Sequence, residues 1–252
     1  MVAEFAGRTA IVTGASRGIG KAVATLLAAH GDSLVLVARH QNGLDLLASQ
    51  LAATGTRVTT LAGDVCDPQV AEAVVACAGR EFGGADVLAN IAGAYPTALL
   101  AATTDQHYSS TMAVNLTSTF VMCRAVLPRM LARGSGSIVN MSSTAARLPT
   151  PGLSVYGASK AGVEAFTRAI AVEAAPHVRV NAVSAGPTLT EAVEALMASD
   201  RTGAVDTVTR SLPLQRLAQP AEIAEAVVFL ASSRASFVTG QVLHANGGGF
   251  MA

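Results

Sequence analysis

Residues 9–20 read TAIVTGASRGIG, and this stretch decides the fold. The β-branched run Thr9–Thr13 predicts a buried strand, and a glycine-rich turn then leads into a helix predicted from Gly18 to His30. The glycine spacing is G-x-x-x-G-x-G rather than the more usual G-x-G-x-x-G of dinucleotide sites. The physical role can be the same, because glycines permit a tight turn and let the backbone approach a pyrophosphate at the helix N-terminus. An ordinary glycine-rich turn is the alternative.

Outward from this stretch, short β-branched runs alternate with longer Ala- and Leu-rich segments, the pattern of a parallel sheet covered by helices. Further strands are predicted at Ser33–Ala38, Arg57–Leu61, Asp86–Ala89, Ser137–Met141, Val178–Val183 and Gln241–His244. Further helices are predicted at Gly43–Thr54, from Pro68 with Asp67 as its cap, and at Asp105–Ala132, Val155–Ala175 and Pro220–Ser232. Pro128 is expected to bend or end the helix that contains it. The fold class is therefore α/β, one domain over residues 1–252 with a doubly wound parallel sheet of about seven strands.

The composition excludes several classes of partner. Of 252 residues, 51% are hydrophobic and 13% are charged, which is enough apolar material for a large core. The 17 basic and 17 acidic residues balance without runs of one sign. Nucleic acid and anionic membranes both select for a concentrated basic face, so neither is expected as a partner.

The cysteines and the N-terminus predict a cytoplasmic location. Cys66, Cys77 and Cys123 are widely scattered without C-x-x-C spacing, so we expect neither a metal site nor a disulfide framework. Glu4 and Arg8 interrupt the N-terminal apolar stretch, and no signal-like cleavage pattern follows. No apolar run approaches the roughly 20 residues needed to span a bilayer. A soluble protein in a reducing compartment is expected.

The end of the second predicted strand indicates which nicotinamide cofactor would bind. A site for NAD usually carries an acidic residue there, which accepts hydrogen bonds from the ribose hydroxyls. Here the strand ends in Ala38-Arg39-His40, and the guanidinium of Arg39 suits a 2′-phosphate. Arg17 in the glycine loop could reach the same phosphate. Both arginines could instead be solvated loop residues, but together, with the acid missing, they favour NADPH over NAD.

Tyr156 and Lys160 open a predicted helix with i, i+4 spacing, which places both side chains on one face. A phenol with a pKa of about 10 is a poor proton shuttle at neutral pH, and a nearby ammonium is expected to lower that pKa. Ser143 follows a strand and would lie at the carboxyl edge of the sheet, where ligands bind in open α/β folds. Each of these features alone is common on protein surfaces.

In combination, these motifs resemble the short-chain dehydrogenase/reductase family, in its single-domain, Rossmann-type form of about 250 residues, over essentially the whole chain. The matching segments are Thr13–Gly20, Asp64-Val65, Asn90–Gly93, Asn115, Ser143, Tyr156-x-x-x-Lys160 and Asn181–Thr190. The family often has Asn and Pro where this chain has Ile91 and Ala185. The second departure raises the expectation of a less rigid loop after the sixth strand.

The resemblance implies roles for individual residues. Tyr156 matches the catalytic acid/base, and Lys160 the residue that lowers its pKa and holds the nicotinamide ribose. Ser143 matches the serine that orients the substrate oxygen, and Asn115 the asparagine that anchors a proton-relay water. Asparagine is unfavourable within a helix, which the functional role would explain. The implied cofactor-binding residues are Gly14, Ser16, Arg17, Gly18, Ile19, Gly20, Arg39, Asp64, Val65, Asn90, Ala92, Gly93, Tyr156, Lys160, Gly186, Thr188 and Thr190.

The implied activity is NADPH-dependent hydride transfer between a ketone, of which a 3-oxoacyl thioester is one candidate, and a secondary alcohol. Candidate substrate-lining residues are Tyr95, Arg147, Leu153 and the weakly periodic loop around residues 187–213, which would suit a lid. Apolar residues on several faces of the fourth and fifth helices favour a homo-oligomer, and the resemblance implies a homotetramer or a dimer. The alternatives are an NAD-dependent dehydrogenase of alcohols, sugars or steroids, a non-catalytic NADP-binding sensor, and an epimerase or dehydratase of the longer relatives.

Overall fold

A computed structural model describes residues 7–251 and contains one continuous seven-stranded parallel sheet. The strands are β1 (Thr9–Thr13), β2 (Ser33–Ala38), β3 (Val58–Ala62), β4 (Val87–Asn90), β5 (Gly136–Ser143), β6 (Val178–Ala185) and β7 (Val242–Ala245). Their spatial order is β3-β2-β1-β4-β5-β6-β7. The chain therefore changes direction across the sheet between β1 and β4, and ligands of such sheets bind at the carboxyl ends of the strands beside this reversal. The predicted doubly wound sheet is confirmed.

The helices lie on both faces of this sheet. They are α1 (Gly18–Ala29), α2 (Gln41–Ala52), α3 (Pro68–Phe82), α4 (Asp105–Met112), α5 (Ser118–Arg133), α6 (Ser154–Ala174), α7 (Glu191–Ser199), α8 (Ala204–Ser211) and α9 (Pro220–Ala231). One apolar core packs α1, α2 and α9 against the sheet, and a second packs α3, α5 and α6 against the other face. Strands covered on both faces need apolar side chains in both directions, which explains the uninterrupted run LVLVA in β2.

Helix α3 begins and ends as its sequence predicts. The Asp67 carboxylate accepts a hydrogen bond from the backbone N–H of Gln69 at 2.8 Å, and Pro68 occupies the first turn. At the other end, Gly83 adopts the left-handed conformation with φ 83°. The predicted cap at Asp67 is confirmed.

The prediction of one helix over Asp105–Ala132 is wrong, and of the two effects expected of Pro128 the end of the helix does not occur, whereas the bend stays a prediction. The structure divides this stretch into α4, a π-helical turn at Ala113–Thr117, and α5. Pro128 does not end α5, which continues to Arg133. Pro128 lies on the exposed side of the helix, where a carbonyl that loses its partner can bind water, while buried Val126 and Met130 hold the flanking turns against the core.

The weakly periodic segment after Gly186 forms two short helices, α7 and α8. The two helices have nine and eight residues, which is too short for a sustained apolar periodicity, and neither contains a buried residue. Within residues 7–251, no helix is both long enough and apolar enough to cross a bilayer. The prediction about the N-terminus at Glu4 concerns residues outside those that the structure describes.

Candidate active site

The loop between β1 and α1 is closed so tightly that only glycine fits at two positions. Gly14 has φ +67°, and a Cβ there would lie 2.9 Å from the Cα of Ala92. A Cβ at Gly20 would collide with the carbonyl of Gly14. The Thr13 hydroxyl accepts hydrogen bonds from the backbone N–H groups of Ile91 and Ala92, at 3.0 and 3.1 Å. The glycine loop and the segment after β4 therefore form one compact backbone surface.

The N-terminus of α1 has no side-chain cap of its own. Arg17 is the N-cap and provides no side-chain cap, and the first turn contains no acidic residue. The backbone N–H of Gly18 instead donates a 3.4 Å hydrogen bond to Glu191 Oε1, from the first residue of α7. Helix N-termini stabilise negative charge, and a carboxylate from a distant segment occupies this one. Sequence reasoning missed Glu191, for which no local signal existed beyond its place next to Thr190.

The residues predicted to select the cofactor are exposed. Arg17 and Arg39 form no hydrogen bond or ion pair with any of residues 7–251, and both guanidinium groups face solvent. Asp64 is exposed as well, and its Oδ1 accepts from the backbone N–H of Cys66 at 2.9 Å. Val65 is buried in the core between the sheet and α3. In this part of the cleft the two arginine side chains are therefore not held by any of residues 7–251, whereas Asp64 and Val65 are held by the fold.

Asn90 lies at the centre of the sheet. Its Nδ2 donates to Asn140 Oδ1 at 2.9 Å, and Asn140 in turn donates to Thr167 Oγ1 on α6 at 3.0 Å. All three side chains are buried. Asn90 therefore holds β4, β5 and α6 together, as expected for a residue that stabilises the sheet beside the site, and its predicted contact with the cofactor stays a prediction.

The structure explains the asparagine within the predicted fourth helix. Asn115 lies in the π-helical turn, fully buried, and its Oδ1 accepts from the backbone N–H of Ala94 at 3.2 Å. Its Nδ2 donates to the carbonyls of Ala94 and Thr111, at 2.8 and 3.0 Å. A Cβ at Gly93 would lie 2.9 Å from Asn115 Oδ1 and 3.4 Å from Lys160 Nζ. Because Gly93 has no side chain, Asn115 and Lys160 can approach the same point of the cleft.

The predicted reaction centre assembles at the carboxyl end of β5. Lys160 is buried on α6, and its Nζ donates to the carbonyl of Met141 at 2.8 Å. The same Nζ lies 5.9 Å from the centroid of the Tyr156 ring. Ser143 is the last residue of β5, and its hydroxyl accepts from the backbone N–H of Ala145 at 3.2 Å and hydrogen-bonds with Tyr156. The structure therefore brings Ser143, Tyr156 and Lys160 together.

Burial shifts the pKa values of this centre. Loss of hydration lowers the pKa of Lys160 to about 8. Burial also raises the pKa of Tyr156, an effect that its hydrogen bond with Ser143 only partly offsets. The expectation that Lys160 lowers the pKa of Tyr156 stays a prediction, since the Nζ of Lys160 is hydrogen-bonded to the carbonyl of Met141 and lies 5.9 Å from the centroid of the Tyr156 ring. Burial therefore favours the protonated form of the Tyr156 phenol.

The segment after β6 closes over the glycine loop. The backbone N–H of Gly186 donates to the carbonyl of Ala245 at 3.0 Å, and a Cβ at Gly186 would lie 2.6 Å from Asn246 Cα. The hydroxyl of Thr188 donates back to the Gly186 carbonyl at 2.9 Å. Thr190 packs against Gly18, with its Cγ2 3.2 Å from the position of a Cβ there. The first turn after β6 is held by these contacts, whereas α7 and α8 beyond it are exposed.

The predicted substrate-lining residues separate into two groups. The ring of Tyr95 lies edge-on to the Tyr156 ring, with centroids 6.4 Å apart. Arg147 points elsewhere, since its Nε donates to Glu164 Oε2 at 2.8 Å. Leu153 precedes α6 and lines an open groove of about 460 Å³, which is also lined by Ala145, Ala146, Arg147, Pro149, Thr150, Pro151, Ser154, Gly157 and Ala158. Tyr95 is therefore the candidate that faces the reaction centre directly.

Comparison with known proteins agrees with this geometry. A family model described as enoyl-(acyl carrier protein) reductase matches residues 14–249. The chain is 40% identical to the 3-oxoacyl-[acyl-carrier-protein] reductase FabG of Vibrio cholerae, across 97% of this chain and 98% of that protein. It is 35% identical to the 2,3-dihydro-2,3-dihydroxybenzoate dehydrogenase of Bacillus subtilis, across 96% and 95%. A crystal structure from Brucella melitensis, titled short-chain dehydrogenase/reductase SDR:Glucose/ribitol dehydrogenase, superposes with a TM-score of 0.91 at 38% identity, covering 99% of both chains.

Proposed function

The chain belongs to the short-chain dehydrogenase/reductase family of oxidoreductases, and we propose that it reduces a ketone to a secondary alcohol with NADPH. The observation that carries the proposal is the cluster of Ser143, Tyr156 and Lys160 at the carboxyl end of β5. A hydroxyl, a protonated phenol and a buried lysine converge there on the edge of the sheet where ligands of this fold bind.

The residues of the cleft fit a dinucleotide. The glycine loop has no room for a Cβ at Gly14 or Gly20, so its backbone is not covered by side chains at these positions. The N-terminus of α1 has no side-chain N-cap, and its contact with Glu191 is a single hydrogen bond of 3.4 Å from the backbone N–H of Gly18, which a pyrophosphate could replace. NADPH, when bound, supplies the hydride. The residues proposed to hold it are Gly14, Ser16, Arg17, Gly18, Ile19, Gly20, Arg39, Asp64, Val65, Asn90, Ala92, Gly93, Tyr156, Lys160, Gly186, Thr188 and Thr190.

In the proposed reaction, the substrate carbonyl lies between Ser143 and Tyr156. Ser143 donates a hydrogen bond that orients the oxygen, and Tyr156 transfers its phenolic proton to that oxygen as the carbon accepts the hydride. The protonated form of Tyr156, which burial favours, supports the reductive direction. Lys160 binds the nicotinamide ribose and returns a proton to the phenolate, by a path that includes a water anchored near Asn115.

Arg39 and Arg17 support NADPH as the cofactor. Both guanidinium groups are exposed near the glycine loop and form no ion pair within residues 7–251, so both remain able to bind a 2′-phosphate. The strand that precedes Arg39 ends without a carboxylate. A chain that used NAD would be expected to place an acidic side chain there.

The substrate class is proposed more broadly. The Vibrio cholerae relative is named for a 3-oxoacyl substrate and the Bacillus subtilis relative for a dihydrodiol, so both a 3-oxoacyl thioester and a cyclic alcohol or ketone belong in a substrate screen.

We place the enzyme in the cytoplasm. Exposed Phe120 and Val172, on α5 and α6, support assembly into a homotetramer or a dimer.

A Tyr156→Phe variant tests the proposed function. The absorbance of NADPH is followed with a panel of ketones and 3-oxoacyl thioesters, and nucleotide binding is measured by fluorescence. Loss of the phenolic proton should lower kcat by roughly 10²- to 10⁴-fold, while the variant still binds NADPH.

Tyr108→Phe, at an exposed position on α4, is the matched control and should leave kcat unchanged. Full turnover by Tyr156→Phe would exclude the proposed proton donor. Tight NADPH binding by the wild-type protein without turnover of any carbonyl would favour the alternative of a nucleotide-binding sensor.

A further inference from the structure

A buried carboxylate lies directly behind the reaction centre. Glu164 is on α6, and its side chain is 1% exposed. Its Oε1 accepts a 3.0 Å hydrogen bond from the hydroxyl of Ser142, and its Oε2 accepts a 2.8 Å hydrogen bond from Arg147 Nε. A second guanidinium, that of Arg168, lies 4.0 Å from the same oxygen. A carboxylate so deeply buried is costly unless it is paired, and here its partners are supplied.

The partners of Glu164 come from the segment that carries Ser143. Ser142 immediately precedes Ser143 in β5, and Arg147 follows the short 3₁₀ turn at Thr144–Ala146, whose N-cap is Ser143. Glu164 therefore binds this segment on both sides of Ser143. The hydroxyl of Ser142 also lies 3.4 Å from the carbonyl of Lys160, which adds a second contact to α6.

The carboxylate itself belongs to the helix that carries the acid/base pair. Tyr156, Lys160 and Glu164 follow one another at intervals of four residues on α6. Residues spaced by four lie one above the other on a helix, so a shift of Glu164 relative to Ser142 is also a shift of Tyr156 relative to Ser143. The contact between Glu164 and Arg147 thus sets the distance between the two hydroxyl groups that would share the substrate oxygen.

The backbone of the Thr144–Arg147 loop is in direct contact with the backbone of α6, so the two segments cannot move closer together. A Cβ at Gly157 would lie 2.6 Å from the carbonyl of Ala145, so backbone meets backbone one residue after Tyr156. An ion pair between a buried carboxylate and a half-exposed guanidinium, as formed by Glu164 and Arg147, adds little net stability. Its directional hydrogen bonds can nevertheless fix one arrangement of two segments, and proton transfer depends on such an arrangement.

We propose that Glu164 and Arg147 are positioning residues that hold Ser143 against Tyr156 for proton transfer. Arg147, a candidate substrate-lining residue from the sequence, acts through Glu164 rather than on the substrate. The proposal rests on the proposed reductase function, because it assigns these residues a role in the same proton transfer.

The test compares Arg147→Met with Arg168→Met. Both substitutions remove a guanidinium next to Glu164, but only Arg147 links the loop to the helix, since Arg168 is on α6 itself. With a ketone that the wild-type protein reduces, Arg147→Met should lower kcat by about 10- to 100-fold and leave the Kd for NADPH within about twofold. Arg168→Met should leave kcat unchanged, and Arg147→Lys should recover part of the loss.

A double variant separates positioning from stability. Arg147→Met leaves Glu164 buried without its closest cation, whereas Arg147→Met with Glu164→Met removes both charges and should restore the Tm. The proposal expects kcat to stay low in the double variant although the Tm recovers. A kcat that recovers with the Tm, or a wild-type kcat in Arg147→Met, would overturn it.

The proposed function can fail separately from this proposal. Full turnover by a Tyr156→Phe variant would refute the proposed reaction centre, whatever the result for the Arg147 variants. If Tyr156→Phe is inactive and Arg147→Met is fully active, only the positioning role proposed for Arg147 and Glu164 is refuted. If the double variant does not fold, the contrast among Arg147→Met, Arg147→Lys and Arg168→Met still decides between the two outcomes.

Discussion

The two ends of the candidate cleft are built in opposite ways. At the reaction end, Lys160 and Asn115 are buried, and their side chains form hydrogen bonds to backbone groups. At the other end, Arg17 and Arg39 are exposed and form no hydrogen bond or ion pair within residues 7–251. The buried groups are held by these hydrogen bonds, and burial lowers the pKa of Lys160, whereas no residue within 7–251 holds the two guanidinium groups. We therefore expect changes at the buried end to alter turnover and stability, and changes at the exposed end to alter affinity alone.

A Lys160→Met variant tests the buried end and should have the largest effect. Unfolded, the lysine has its ordinary pKa of 10.5, whereas burial lowers the folded pKa to about 8. Between these values the unfolded chain binds more protons, so the unfolding free energy of the wild-type protein should rise with pH. Relative to the variant, the wild-type protein should gain up to about 3 kcal/mol between pH 7 and pH 10.5.

Denaturant unfolding of both proteins across this pH range measures the difference. Titratable groups that both proteins share contribute equally to the two unfolding free energies and cancel in their difference. Lys21→Met, at a partly exposed position on α1, is the matched control, because it removes a lysine that is not buried. If the difference in unfolding free energy between the wild-type protein and Lys160→Met does not change with pH, Lys160 is not desolvated. The contrast between the two ends of the cleft would then disappear.

An Arg39→Asp variant tests the exposed end. A charge-assisted hydrogen bond to a 2′-phosphate contributes about 1.5–3 kcal/mol, so its loss should shift the preference from NADPH toward NADH by roughly 10- to 100-fold. The new carboxylate could also accept hydrogen bonds from the ribose hydroxyls. The preference is measured as the ratio of kcat/KM for the two cofactors.

The Tm of Arg39→Asp should equal that of the wild-type protein, because Arg39 forms no hydrogen bond or ion pair within residues 7–251. Arg80→Asp, on exposed α3 surface, controls for the change in net charge. A wild-type preference for NADH would show that the interpretation of Arg39 is wrong.

A Glu191→Gln variant tests the boundary between the two ends and should have the smallest effect. The Glu191 carboxylate occupies the N-terminus of α1, where a pyrophosphate would bind, so the two negative charges compete. A charge at a helix N-terminus is worth about 0.3–1 kcal/mol, so NADPH should bind up to about fivefold more tightly to the variant.

Fluorescence titration with NADPH measures this change without turnover. Glu194→Gln removes the other acidic residue in the first turn of α7 and should leave the Kd unchanged. Weaker NADPH binding by Glu191→Gln would mean that Glu191 contributes to the cofactor site instead of competing for it.

Much of the fold and of the candidate site is predictable from local sequence. All seven strands were predicted within a few residues, because a buried parallel strand is a short, continuous β-branched run. The π-helical turn at Ala113–Thr117 was not predicted, because it depends on the hydrogen bonds that Asn115 forms with Ala94 and Thr111. The exposed helices α7 and α8 were missed because they are too short for a sustained apolar periodicity.

By itself, the sequence determined the doubly wound sheet, the glycine loop and the candidate set of Ser143, Tyr156 and Lys160 in their order along the chain. Only the tertiary structure decided the directions in which the pKa values of Tyr156 and Lys160 shift, and the partners of Glu164 and Glu191. Periodicity and spacing depend on neighbouring residues and can be found in a sequence. Desolvation and contacts such as that between Gly18 and Glu191, 173 residues apart, exist only after distant segments pack together.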